Sequence, residues 1–124
     1  MKKQFLLLLL GLALTAHVCA KLAAESPLSE EQIKNEFSGL IISDGHHWSI
    51  LLNPNGSAKA FMMGKARQGA WKIEKKQFCM AVPSGASFDC WMVFKRDQKF
   101  IFNAFGKDQF EVTVQEPSSQ HQLD

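Results

Sequence analysis

The sequence predicts a mainly β fold: a small antiparallel barrel or curled sandwich of seven to eight strands, with one short N-terminal helix. Three observations predict it. Hydropathy takes up a period of two at Leu40 and keeps it to Gln115. Turn-forming clusters interrupt that stretch every few residues and leave no room for crossover helices, so sequential antiparallel pairing is the simplest topology. Ten Phe and three Trp in 124 residues are enough to fill the interior of a closed eight-stranded barrel.

The first twenty residues read as an address. Met1-Lys2-Lys3 is a short basic segment, and Phe5 to Leu14 is an apolar run shorter than the ~20 residues of a membrane span. Val18-Cys19-Ala20 reads as a cleavage site, so residues 1–20 are expected to be a signal peptide and Lys21 the first mature residue. The alternative is a lipid anchor on Cys19. The expected location is periplasmic or secreted, with no stable membrane span.

Residues 21–28 are expected to be a flexible arm. A helix then spans 29–38. Ser29 is its N-cap and Gln32 completes a capping box, while Leu28 and Ile33 stand at hydrophobic-staple spacing. Glu30 and Glu31 occupy the first turn, where the helix dipole favours them. Ile33 and Phe37 share a face, and Gly39 ends the helix.

Leu40-Ile41-Ile42 opens the β region, and Asp44-Gly45 is a hairpin signal. Trp48, Ile50 and Leu52 share one face of the next strand. Asn53-Pro54-Asn55-Gly56 is a turn. Ser57 to Met63 sets Phe61 and Met63 on one face and Ala58, Ala60 and Met62 on the other. Residues 64–69 are expected to form a polar, basic connection. Trp71 and Ile73 point inward on the following strand, and Lys75-Lys76 turns the chain. Phe78, Met80 and Val82 share a face before Pro83-Ser84-Gly85. Phe88 to Phe94 is a strand, Arg96-Asp97-Gln98 a turn, and Phe100 and Phe102 a shared face. Gly106-Lys107-Asp108 turns the chain again, and Phe110, Val112 and Val114 alternate with polar residues. The domain is expected to span 29–115, followed by a disordered tail over 116–124.

Cys79 and Cys90 are the pair left after export and are expected to form a disulfide. If Ser84-Gly85 were a two-residue turn, the two would face each other at a hydrogen-bonded position of one hairpin. A longer connection through Ala86-Ser87 would relax that placement.

Charge limits the function. The formal net charge is +2, and loss of Lys2 and Lys3 leaves the mature chain balanced. General nucleic-acid binding lacks its electrostatic footprint. Lys59, Lys65, Arg67, Lys72, Lys75 and Lys76 nonetheless make the middle of the chain basic. Lys65, Arg67, Trp71 and Lys72 are the candidate residues for an anionic partner, weighed against lysines that merely block strand edges. His46 and His47 are a candidate metal pair, with Met62, Met63, Met80 or Met92 as soft ligands; the plainer reading is loop histidines beside a Met-rich core. No serine lies in a nucleophile motif, and no phosphate loop or zinc-protease helix is present. The expectation is a protein without catalytic residues or cofactor.

Gly69-Ala70-Trp71-Lys72-Ile73, Cys79-Met80 and Cys90-Trp91-Met92-Val93 resemble the G-x-W-x-[IV], Cys and C-[WY]-x-V pattern of small secreted bacterial proteins, such as the family of unknown function numbered 995. That resemblance implies export and a compact β fold. The arm, the short helix, Phe37-Ser38-Gly39 and Gly69-Ala70-Trp71 are similar to periplasmic inhibitors of secreted metalloproteases. That likeness implies a calycin-like barrel whose N-terminal arm enters the protease cleft. The function expected is therefore an exported, monomeric binding module that recognises a protein or cell-envelope component. The alternatives are a protease inhibitor acting through its arm, and a carrier of a small ligand or metal.

Overall fold

A computed structural model describes residues 25–117. The expected signal peptide, the first part of the arm and the end of the tail lie outside the described residues. One helix, α1 (Glu30–Phe37), precedes eight strands: β1 (Ile41–Ser43), β2 (Trp48–Leu52), β3 (Ser57–Met62), β4 (Lys65–Glu74), β5 (Gln77–Ala81), β6 (Asp89–Arg96), β7 (Lys99–Ala104) and β8 (Lys107–Gln115). They pair antiparallel in chain order, and β8 pairs back onto β1 to close a barrel. Closure pairs each strand with a neighbour on both sides for at least part of its length; where the β4–β5 and β5–β6 ladders stop, Gln68 O and Val93 O accept from the backbone N–H groups of Ser84 and Leu28.

The capping box forms as its spacing requires. Gln32 N–H donates to Ser29 Oγ at 3.2 Å, and Ser29 N–H donates to Gln32 Oε1 at 2.8 Å. Ile33 and Phe37 are fully buried because α1 lies across one end of the barrel. The Phe37 ring meets Phe78, Phe100 and Phe102 with centroids 5.4, 5.0 and 5.9 Å away. From Phe102 the aromatic contacts continue to Phe110 at 4.9 Å, and from Phe110 to Trp48 at 5.9 Å and Trp91 at 5.5 Å. An aromatic column thus runs through the barrel from the helix toward the opposite end. Ile42, Ile50, Leu52, Ala58, Ala60, Val93 and Val112 fill the space around it.

Strand direction sorts the connections. The turns at 53–56, 75–76 and 97–98 lie at the helix end, with the start of β1 and the end of β8. The connections at 44–47, 63–64, 82–88 and 105–106 form the opposite rim.

Two turns are tighter than their sequences suggested. Residues 64–69 are not a connection: β4 begins at Lys65, and Met63-Gly64 alone reverse the chain. Both have positive φ, 50° and 79°, which matches the right-handed twist of the strands they join. Lys65 to Gln68 hid their strand character because this half of β4 is exposed, so no buried position stamps an apolar residue on the alternation. Likewise Phe105-Gly106 makes the last turn, and Lys107 and Asp108 already belong to β8.

Cys79 and Cys90 are bonded directly across β5 and β6. Their Cα atoms are 4.0 Å apart, the close spacing of a non-hydrogen-bonded pair. The hydrogen-bonded placement tied to a two-residue turn does not occur, because residues 82–88 form a longer loop that does not impose that phase. Ser84 N–H donates to Gln68 O at 2.7 Å, pinning the loop to β4.

Residues 25–28, assigned by the sequence to the arm, run along the outer half of β6. Leu28 N–H donates to Val93 O at 2.7 Å, and Leu28 packs against the core. Glu25 takes two hydrogen bonds from Arg96, from Nε at 2.7 Å and from Nη2 at 2.8 Å. Arg96 also donates to Asp108 Oδ2 at 3.1 Å. These bonds hold the Glu25 carboxyl below its ordinary range. Asp108 is lowered too, by Asn103 first and by Arg96 second.

Candidate functional site: the open rim

The two ends of the barrel differ in chemistry. Two-residue turns at the helix end carry Lys75-Lys76 and Asp97-Gln98; those at the rim carry Met63-Gly64 and Phe105-Gly106. Among the described residues the exposed large apolar side chains are Met63 at 86%, Phe88 at 38% and Phe105, wholly exposed. All three sit on rim connections or at their border. Met63 and Phe105 also hold φ of 50° and 55°, a region costly for side chains other than Gly, Asn or Asp.

Beneath these tips the inward positions form a half-buried shelf of Trp48, Met62, Met80, Trp91 and Phe110. Cross-strand register puts Lys65 opposite Met62 and Arg67 opposite Ala60, and directly opposed residues share a sheet face. Both cations therefore stand on the barrel's inward face, above the packed interior. A cleft of about 520 Å³ is lined by Met62, Met63, Lys65, Arg67, Val82 and Pro83. A second, of about 490 Å³, includes Phe88, Trp91 and Phe105 among its walls.

The fourth corner of the rim is ordered by Asp44. Its Oδ1 accepts from the backbone N–H groups of His46, His47 and Trp48 at 2.9, 2.7 and 3.1 Å, and its Oδ2 meets His47 Nδ1 at 3.0 Å. Desolvation pushes this carboxyl up, but the three backbone donors and the histidine outweigh it and hold the group well below the usual carboxylate range. Met63 N–H donates to His47 O at 3.1 Å, tying this corner to the next.

The structure divides the residues singled out from sequence. Lys65 and Arg67 line the same cleft. Trp71 does not join them: it is 7% exposed, stacks on Phe78 with centroids 6.1 Å apart, and donates from Nε1 to Asn53 O at 2.7 Å. Lys72 lies on the outer face, 3.1 Å from Glu74 and 4.4 Å above the Phe88 ring. The four do not form one surface: alternation turns Lys72 outward, and Trp71, on the same inward face as Lys65 and Arg67, lies further along β4 in the packed interior near the helix end. His46 and His47 are neighbours with ring centroids 6.1 Å apart, and the His47 ring is engaged by Asp44. Among the described residues no three His, Cys, Asp or Glu side chains gather as a metal-binding group. Met62 and Met80 face the interior, whereas Met63 is at a rim tip.

Sequence reasoning missed Met63, Phe88 and Phe105 as surface features. The available signal was an apolar residue in a Gly-containing turn, at Met63-Gly64-Lys65 and Phe105-Gly106-Lys107. In comparison with known proteins, no family model, curated protein or solved structure matches the chain. Among the described residues no helix is long and apolar enough to cross a membrane.

Proposed function

We infer that this protein is an exported binding module without catalytic residues, and that it recognises a component of the cell envelope through the open rim of its barrel. The observation that carries this reading is the gathering of Met63, Phe88 and Phe105 at one end of the molecule. All the exposed large apolar side chains among the described residues fall on the connections of this one end, while the two-residue turns of the other end are polar, and that asymmetry supports the rim as the contact face. The Cys79–Cys90 bond supports export, since such bonds persist in oxidising compartments. The basic amino-terminal segment with its short apolar run supports it independently.

Site-directed photocrosslinking in intact cells tests the reading. A photoreactive phenylalanine analogue replaces Met63 or Phe105 at the rim, and Lys76 or Gln98 at the helix end. Adducts with envelope material are expected from the rim positions. Adducts confined to Lys76 and Gln98 would overturn the rim as the binding face.

A further inference from the structure

Two hairpins raise the same three-residue arrangement at the rim. Met63-Gly64-Lys65 and Phe105-Gly106-Lys107 each place a bare apolar side chain at the tip and a lysine two residues later. In the closed strand order these hairpins, β3–β4 and β7–β8, lie on opposite sides of the barrel. Phe88 stands on the connection between them. None of the three apolar residues belongs to the core. Met63 and Phe105 also occupy backbone conformations that a polar turn residue would adopt at lower cost.

The charges beside these tips are mostly uncommitted cations. Lys65, Arg67 and Lys107 are exposed and make no ion pair among the described residues. The rim acids are more constrained. Asp44 is saturated by its own loop, and Asp108 is held by Asn103 and Arg96. Asp89, exposed after Phe88, is the remaining rim carboxylate.

A folded protein partner would need a continuous complementary patch with interior-like packing at its core. A bilayer interface makes no such demand: isolated protruding side chains can each enter the boundary between headgroups and acyl chains. Lysines beside them find anionic headgroups, while their aliphatic stems lie along apolar surface. We propose that the open rim docks on an anionic phospholipid surface, with Met63 and Phe105 entering the interface and Lys65, Arg67 and Lys107 among the phosphates. This rests on the rim being the binding face, and it names the partner of that face as lipid.

Vesicle co-sedimentation with the oxidised protein tests it, using phosphatidylethanolamine–phosphatidylglycerol vesicles against vesicles of phosphatidylcholine alone. Binding to the anionic vesicles, weakened by added salt and absent with phosphatidylcholine, is expected. Phe105→Asn should weaken that binding about tenfold, and the pair Lys65→Glu with Arg67→Glu by at least as much. Denaturation midpoints taken on the same samples show that each variant is folded; Met63→Asn is a second apolar probe. No binding to anionic vesicles, or binding unaffected by these changes in folded protein, overturns the proposal. Rim photocrosslinks to a protein without vesicle binding would overturn the lipid assignment and leave the rim reading standing. Crosslinks only from the helix end would remove both.

Discussion

The Asp44 carboxylate accepts three backbone N–H groups and meets one histidine ring, so its removal strands several donors at once. Asp44→Ala is expected to lower stability by about 1–3 kcal/mol, and Asp44→Asn, which keeps an acceptor oxygen, by less; urea midpoints check both. The carboxyl titrates near 3.9 in the unfolded chain and lower in the folded one. Its stabilisation is therefore fully present above about pH 5, begins to decline near the unfolded value and is lost as pH falls through the folded value. The drop in midpoint between about pH 6 and about pH 3 should be smaller in Asp44→Asn than in the parent. Met63 and Phe105 present the opposite case. Replacing either by Asn should leave the fold intact and raise stability by up to about 1 kcal/mol, because Asn tolerates the left-handed backbone better. A loss of more than that in a thermal melt would mean that these side chains support the fold.

Helix α1 closes its end of the barrel through two side chains, Ile33 and Phe37. Phe37 meets three aromatic rings, so Phe37→Ala should cost about 3–5 kcal/mol in a denaturant titration. This element was legible in advance: Ser29, Gln32, Leu28 and Ile33 stand at the spacings that capping and stapling require. Most strands were legible for a similar reason, since Ile50 and Leu52 or Phe100 and Phe102 mark an inward face by period two. The start of β4 was not, because Lys65 and Arg67 occupy inward positions where the barrel has opened to solvent. The rim was legible only in part. Lys65 and Arg67 were recognisable as basic residues, but Trp71 and Lys72 were grouped with them by proximity along the chain, although Trp71 lies deeper on the same face, packed in the interior, and alternation turns Lys72 outward. Met63 and Phe105 look like stray apolar turn residues until the topology assigns both hairpins to the same end.

For the whole molecule, the cross-link between β5 and β6 joins strands bridged by the 82–88 loop. Cys90→Ser is expected to lower stability by about 2–4 kcal/mol, chiefly by freeing the unfolded chain. Equal denaturation midpoints with and without reductant in the parent protein would contradict that. The barrel also arranges its ends: Glu25 lies against Arg96, and β8 finishes beside the start of β1, so the described chain enters and leaves at the helix-plugged end. Either end can therefore be coupled to a bead, a sensor chip or a fused domain with the rim left facing the sample. Grafting cargo into the Met63-Gly64 or Phe105-Gly106 turn would instead put it between the rim and whatever approaches.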